Sequence, residues 1–193
     1  ALPLLAVASM VISLISGETT PHALTAMMVP MFPRRGDEDE WVEILHRHLP
    51  KKVKAIELAA GDGSFARDLK EQLNEADKNV LEVVATDKYR FENGVLEVGV
   101  EEAVDVYGEE SFDLVVINRP GSPDPEERTT WPLTDRYILT RLYLGKVVTA
   151  AKQLVKPEGL IVVGLAAGWD TREFKNVLEV LDRKSTRLNS SHL

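Results

Sequence analysis

Cysteine is absent from this sequence of 193 residues, which excludes disulfides, thiolate catalysis and zinc sites built on Cys ligands. Its four His residues show no metal-ligand spacing, so no metal site is predicted. Positive charge is also scarce, because 23 Lys and Arg face 31 Asp and Glu, for a net charge of -8. An acidic chain repels a phosphate backbone, which disfavours nucleic acid as a partner. The hydrophobic content of 44% suffices for one domain core.

The two ends of the sequence differ in character from the middle. Residues 182–193 are polar, lack any period and resemble the translated read-through of a common short-read sequencing adapter. We exclude them from the fold prediction as a non-native tail, and expect the natural chain to continue past Leu181. At the other end, Ala1 to Ile15 carries no charge and is mostly apolar.

This apolar N-terminal segment has two interpretations. Membrane anchoring or targeting is one, but the segment is short for a bilayer span and no basic residues precede it. We favour the other, a buried or partner-covered helix in a cytoplasmic protein. Thr20 and Pro21 then predict the start of a short helix through Met28, and residues 30–37 a linker.

From Asp37 onward, short apolar runs alternate with amphipathic segments. The predicted strands are 53–60, 79–86, 95–100, 112–117 and 160–164. The predicted helices are one from Asp37 that ends before Pro50, then 64–73, 135–154 and 171–181. Residues 119–134 are predicted to form a loop and 156–159 a turn. Such alternation predicts an α/β fold, a doubly wound, Rossmann-like and mostly parallel sheet with helices on both faces.

Ligands of doubly wound sheets bind beyond the carboxyl ends of the strands, so Gly61, Asp87 and Asn118 are expected to converge. The stretch from Gly61 to Ala66 matches the pattern G-x-G-x-x-A, which leaves a nicotinamide-dependent oxidoreductase as one alternative. Charge argues against it, because Glu57 and Asp62 would oppose the pyrophosphate of a dinucleotide. A cationic ligand is better suited to this acidic rim.

The nine residues from Glu57 to Phe65 resemble the first motif of class I S-adenosylmethionine-dependent methyltransferases, with Ala59 in place of the family's first glycine. The resemblance continues in order through four further motifs and covers roughly residues 50–165. Those motifs are Asp87, Glu101, the strand from Ser111 to Val116, and the turn and strand from Leu154 to Leu160. It implies S-adenosylmethionine as the cofactor and methyl transfer to an unidentified N, O or C nucleophile.

The resemblance also implies roles for single residues around the first motif. Gly61 and Gly63 let the backbone approach the methionine part of the cofactor. Glu57 helps to hold the ammonium group, and Asp62 lines the same wall, although a helix-capping role for Asp62 is an open alternative. Asp87 accepts hydrogen bonds from both ribose hydroxyls.

Farther along, Glu101 corresponds to the family's acceptor for the adenine amino group. Glu102 competes with it, and a plain charged surface is the alternative for both. Asn118 occupies the first position of the motif that orients a substrate amine in amino-group methyltransferases, which makes it the candidate catalytic residue. Arg119 and Gly121 depart from the Pro-Pro-aromatic remainder of that motif.

The sequence leaves further expectations for the surroundings of this site. Trp131 and Tyr137 are candidate pocket walls or core residues, whereas His46 and His48 are not expected to act as bases. The proposed domains are an apolar N-terminal region and linker (1–36), a truncated methyltransferase domain (37–181) and the tail (182–193). Because the family's last two strands are missing, the strand 160–164 is expected to have an unpaired edge and the chain to be poorly soluble or only marginally stable. A catalytically inactive binding module of the same fold is the main alternative function.

Overall fold

A computed structural model describes residues 9–15, 23–29, 38–89, 93–118 and 133–164. The strands are β1 (Ser9–Ile15), β2 (Ala23–Val29), β3 (Lys52–Leu58), β4 (Asn79–Asp87), β5 (Leu96–Glu97), β6 (Phe112–Asn118) and β7 (Val155–Gly164). The helices are α1 (Glu38–His48), α2 (Ser64–Glu75), α3 (Ala103–Tyr107) and α4 (Leu133–Leu154). Between residues 38 and 164 the predicted strands and helices are present, with the strand predicted at 95–100 reduced to two residues, and α3 is an addition.

The strands form one sheet in the order β2-β1-β7-β6-β3-β4-β5. Neighbouring strands from β7 to β5 pair in parallel, whereas β1 pairs antiparallel with both β2 and β7. Strand order reverses between β3 and β6, because the chain moves from β3 to one edge and then returns to the other side of β3. This is the doubly wound α/β arrangement that the alternation of strands and helices predicted.

Helices cover both faces of the parallel part of the sheet, because the strand residues that point to either face are apolar. On one face Ile56, Leu58, Val115 and Ile117 pack against α3 and α4. On the other face the remaining residues of β3 and β6 contact α1 and α2. The members of this second cluster include Ala55, Leu114, Val116, Ile44, Leu45, Phe65, Leu69 and Leu73. The parallel part of the sheet therefore lies between two packed layers of helices.

The N-terminal predictions were wrong where the structure describes them. Residues 9–15, expected to be helical, form strand β1, and the helix expected to run through Met28 is replaced by strand β2. A short apolar run lacks the length that would distinguish a buried strand from a buried helix, which is why periodicity misled here. The boundaries proposed at residues 36 and 181 remain predictions.

The edge of the last predicted strand is not open, contrary to expectation. β1 pairs antiparallel with β7, from Ser9 opposite Gly164 to Ser13 opposite Leu160. Within the described residues β7 is the last strand along the chain, so the two positions beyond it are filled by β1 and β2 rather than by later segments. This pairing removes the free edge on which the expected poor solubility rested.

The predicted turn at 156–159 lies inside the bounds of β7 as an irregular segment. Phe112 is paired with Val155 and Leu114 with Leu160, so β7 accommodates extra residues between these two pairs. Gly159 is required there, because a Cβ atom would lie 2.8 Å from the Lys156 carbonyl oxygen. The segment thereby brings the Lys156 ammonium to within 3.1 Å of Asp113 Oδ1.

Two further expectations concern regions at the margin of the described chain. The helix expected at 171–181 and the tail 182–193 lie outside the described residues. Among the helices that the structure describes, none has the length and apolar character needed to cross a membrane.

Candidate functional site

Three alternate residues of the turn after β3 have backbone angles in the left-handed region. The φ angles are +53° at Ala59, +59° at Gly61 and +71° at Gly63. Ala59 is the departure from the family motif, and a residue with a Cβ atom in this conformation costs about 1 kcal/mol or more of strain. A glycine at this position would avoid this strain.

Gly61 and Gly63 have different surroundings. A Cβ atom on Gly63 would lie 2.7 Å from Cγ2 of Val95, so this glycine permits the turn to pack closely against the segment before β5. A Cβ atom on Gly61 would meet nothing within 4 Å. Gly61 therefore faces open space at the carboxyl edge of the sheet, which is where the sequence predicted a ligand.

Asp87 at the end of β4 holds the glycine turn in place. Its Oδ2 accepts a hydrogen bond from the Gly61 N–H at 2.9 Å, and its Oδ1 accepts one from the Tyr89 N–H at 2.7 Å. A carboxylate oxygen can accept more than one hydrogen bond. The structure thus brings Asp87 and Gly61 together as predicted, and gives Asp87 a structural role as well.

Glu57 is buried beneath this turn, with a relative exposure of 1%. One of its oxygens accepts a hydrogen bond from the Ala66 N–H near the start of α2, whereas Oε2 has no hydrogen-bond partner among the described residues. Burial, together with the negative charges of Asp62 and Asp87, raises the pKa of Glu57 from 4.5 to about 8. A nearby positive charge would relieve each of these penalties.

Asp62 lies on the exposed side of the same turn. Its Oδ1 accepts a hydrogen bond from the Ser64 N–H at 3.0 Å, at the start of α2. This contact corresponds to the helix-capping alternative. Asp62 also acts on the site, because its negative charge raises the pKa of Glu57. The three acids Glu57, Asp62 and Asp87 therefore lie together at the carboxyl ends of β3 and β4, and they are called the acidic group below.

Asn118 ends β6, the strand beside β3. The register places Glu57 opposite Val116, so Asn118 lies two residues farther toward the carboxyl edge and on the same face of the sheet as Glu57. Its Oδ1 is buried and has no hydrogen-bond partner among the described residues. The candidate catalytic residue thus contributes a second unsatisfied acceptor to this edge.

Glu101 and Glu102 precede α3 on the other side of β4 and differ in what they contact. Glu101 is exposed and forms an ion pair with Lys146 of α4, with an N–O distance of 2.7 Å. Oε2 of Glu102 accepts a hydrogen bond from the Gly99 N–H at 3.1 Å, in the turn that leads into α3. A groove of about 500 Å³ between α3 and α4 is lined in part by Glu101 and Lys146. Within the part of the chain that the structure describes, no contact joins Glu101 to the acidic group around Glu57.

The sequence prediction missed Tyr143 on α4. Its side chain is half-buried and packs against the apolar cluster on the α3 and α4 face. Burial, followed by the charges of Asp87, Tyr89 and Glu101, raises the pKa of the Tyr143 phenol to about 12. The signal was present, because Tyr143 precedes Val147 by one helical turn on the apolar stripe of α4.

Other candidate residues are only partly described. Residues 119–132, which include Trp131 and most of the predicted loop, lie outside the described residues, as does the side chain of Tyr137. Nδ1 of His46 is 3.0 Å from the carbonyl oxygen of Ala76, which ties α1 to the end of α2. Both His46 and His48 are on α1 and belong to no part of the acidic group.

No protein-family model matches the chain, and no curated protein matches it. Among solved structures, the crystal structure of a protein named PH0851 is similar at a TM-score of 0.46 and 16% identity, over 81% of this chain and 45% of that one. A protein from Anaeromyxobacter dehalogenans described as a "Putative Type II Methyltransferase" is similar at a TM-score of 0.38 and 13% identity, over 64% of this chain and 45% of that one. The chain spans about half the length of each, and similarity at this level concerns the α/β arrangement alone.

Proposed function

We propose that this chain binds S-adenosylmethionine at the carboxyl ends of β3, β4 and β6 and belongs to an enzyme that transfers its methyl group. The observation that carries the proposal is Glu57, a buried carboxyl group whose Oε2 has no hydrogen-bond partner among the described residues. Leaving a buried polar atom unpaired costs about 1 to 3 kcal/mol, so such an atom commonly marks a place for a ligand.

The charge of the surroundings favours a cation as that ligand. Asp62 and Asp87 both act on Glu57, and each raises its pKa. An anionic pyrophosphate would add repulsion to this group, whereas an ammonium or sulfonium ion would be attracted by the carboxylates of Asp62 and Asp87 and would favour the ionised form of Glu57. The open space beside Gly61 provides room for the ligand to approach the backbone.

Each residue of the site has a proposed contact with the cofactor or the methyl acceptor. Glu57 would accept from the cofactor ammonium, Asp87 from the ribose hydroxyls, and Asn118 would orient the methyl acceptor or the methionine end. When bound, the sulfonium supplies an activated methyl group for in-line displacement. The task of the chain is then to fix the acceptor opposite the sulfur and exclude water, for which positioning contributes more than a dedicated base.

Calorimetric titration of the chain with S-adenosylmethionine, S-adenosylhomocysteine and NAD tests the proposal. We expect the first two to bind and NAD to bind more weakly or not at all. Asp87→Asn retains an oxygen for the Gly61 N–H but loses the charge and one acceptor, so it should weaken binding by about 1 to 3 kcal/mol. Asp68→Asn, on an exposed position of α2, is the matched control and should leave the affinity unchanged.

The outcomes separate the alternative functions. Preferential binding of NAD would contradict the methyltransferase proposal and favour an oxidoreductase. Binding of S-adenosylmethionine without methyl transfer by the natural full-length protein to any class of acceptor would favour an inactive binding module. If neither S-adenosylmethionine nor NAD binds, the acidic group is not a cofactor site.

A further inference from the structure

Two buried side-chain oxygens on neighbouring strands have no hydrogen-bond partner among the described residues. They are Oε2 of Glu57 on β3 and Oδ1 of Asn118 on β6. These strands are parallel, and Glu57 is paired with Val116, so Asn118 lies two residues farther along β6 and on the same face of the sheet. From the usual spacing of strands and of residues along a strand, the Cα atoms of Glu57 and Asn118 are about 8 Å apart. Side chains that extend from two such positions can both reach one small group between them.

The group that suits both oxygens is a donor with more than one N–H. The side-chain oxygen of Asn118 can only accept, and so can an ionised Glu57 carboxylate. A hydroxyl has one proton and would satisfy one of the two oxygens, whereas an ammonium group has three N–H donors and can satisfy both. Its positive charge also strengthens each of these hydrogen bonds. The amino-acid half of S-adenosylmethionine carries such a group.

Glu57 must change its protonation state to bind a cation in this way. Burial and the charges of Asp62 and Asp87 raise its pKa to about 8, although the hydrogen bond from the Ala66 N–H acts in the opposite direction. Asp62 and Asp87 are the charged groups that act on Glu57 from the turn before α2 and from β4, Asn118 on β6 is neutral, and the residues of α1 in the cluster on this face are apolar. At neutral pH the carboxyl group is therefore mostly protonated. An ammonium group beside it favours the carboxylate instead.

Resting on the proposed function, we infer that Glu57 Oε2 and Asn118 Oδ1 together accept hydrogen bonds from the ammonium group of the ligand, and that Glu57 releases its proton when this group binds. The O–H bond of the Glu57 carboxyl group breaks, its electron pair stays on the carboxylate, and the proton passes to the buffer. The ammonium group keeps all of its protons. Because a proton on Glu57 competes with the cation, the Kd should fall as the pH rises toward about 8 and then level off.

Calorimetric titration with S-adenosylhomocysteine in buffers of different ionisation enthalpy counts the protons released on binding. At pH 7 wild type should release about one proton more than Glu57→Gln, and its Kd should fall by up to about 10-fold per pH unit below pH 8, whereas that of Glu57→Gln should not. Glu71→Gln makes the same chemical change at an exposed position of α2 and should behave as wild type does. A second ligand, 5′-methylthioadenosine, keeps the nucleoside but lacks the ammonium group, so its binding to wild type should release no proton from Glu57.

The part of Asn118 is tested by Asn118→Leu, which keeps a side chain of similar size and removes the acceptor. This variant should raise the Kd of S-adenosylhomocysteine about 10-fold, the loss expected for a hydrogen bond to a charged group, and leave that of 5′-methylthioadenosine unchanged. Competition between the two ligands measures this difference, and thermal unfolding of each variant checks that the fold is retained.

The outcomes keep this inference apart from the proposed function. Equal proton release by wild type and Glu57→Gln, or by the two ligands on wild type, overturns the proton step. The comparison of ligands decides this point if Glu57→Gln binds too weakly for titration. Equal losses for both ligands in Asn118→Leu show that Asn118 does not contact the ammonium group. In each of these cases wild type still binds S-adenosylhomocysteine and the proposed function stands, whereas absence of that binding overturns both.

Discussion

Two buried carboxyl groups at opposite ends of the parallel strands have opposite environments. Asp113, near the start of β6, is 7% exposed and accepts from the Lys54 N–H at 2.9 Å and from Lys156 Nζ at 3.1 Å. Glu57, near the end of β3, is 1% exposed, its Oε2 has no hydrogen-bond partner among the described residues, and the charges of two further acids act on it. Asp113 therefore joins β6 to β3 and β7, whereas Glu57 has one backbone donor and an incompletely satisfied carboxyl group. Burial of an acid thus indicates a ligand site only when its partners are missing.

We expect the largest change in stability from substitution of Asp113, the carboxyl group with two donors. Asp113→Ala leaves the Lys54 N–H without its acceptor and removes the ion pair, so the free energy of unfolding should fall by about 2 to 4 kcal/mol. Lys156→Met keeps the apolar stem and the Lys54 bond, and should cost less than half as much because Lys156 is partly exposed. Urea unfolding measures both, and equal stability of wild type and Asp113→Ala would show that Asp113 does not secure this end of the sheet.

Substitution of Glu57 should raise the free energy of unfolding rather than lower it. Glu57→Gln removes a group that must remain protonated in the folded protein but ionises in the unfolded chain. At pH 7 the variant should therefore be more stable by about 1 to 3 kcal/mol while binding S-adenosylmethionine more weakly. Urea unfolding and calorimetric titration report these two quantities. A loss of stability in Glu57→Gln would contradict the difference between the two acids.

The two acids also predict a characteristic pH dependence. The folded pKa of Glu57, about 8, is above its unfolded value of 4.5. The unfolded chain therefore loses this proton first, and the stabilisation present below pH 4.5 is lost as the pH rises to about 8. Across this window Glu57 should lower the free energy of unfolding by about 1.4 kcal/mol per pH unit.

Comparison of wild type with Glu57→Gln isolates this slope from the contributions of other groups. The difference in free energy of unfolding between the two proteins should grow from pH 5 to pH 8 and then level off. A constant difference over that range would mean that Glu57 titrates at its ordinary pKa.

The smallest expected effect tests the contribution of Asp62. Asp62→Asn keeps an oxygen for the Ser64 N–H, so α2 should begin as before, but the variant removes one negative charge near Glu57. The pKa of Glu57 should fall below about 8 without reaching 4.5, because burial is the larger cause. NMR titration of the Glu57 side chain measures this shift. An unchanged pKa would leave burial and Asp87 as the causes.

Much of the parallel sheet could be predicted because its strands are short apolar runs separated by glycine, proline and charge. The ends of β4 and β6 were predicted to within one residue, and Gly61 and Asp87 were correctly expected to meet. α3 was not predicted, because its five residues are too few to show a helical period. Strand β1 was interpreted as a helix, because its apolar run shows which residues are buried without showing what covers them.

The site was predictable in its members but less so in their energetics. The sequence placed Glu57 in an acidic group, yet only the structure shows that one of its oxygens lacks a partner while Asp113 has two donors. Hydrogen-bond partners from distant strands cannot be derived from local spacing.

The pairing of β1 with β7 has a consequence for the order of folding during synthesis. Ser9 leaves the ribosome long before Gly164, the residue it faces in the sheet. Contacts this far apart in the chain raise the contact order and slow folding, because a long loop must close before they stabilise anything. β1 and β2 can pair with each other early, as neighbours in sequence, but a two-stranded hairpin alone is marginally stable. This hairpin can therefore gain its full stability only after nearly the whole sheet has been synthesised, when β7 becomes available for pairing.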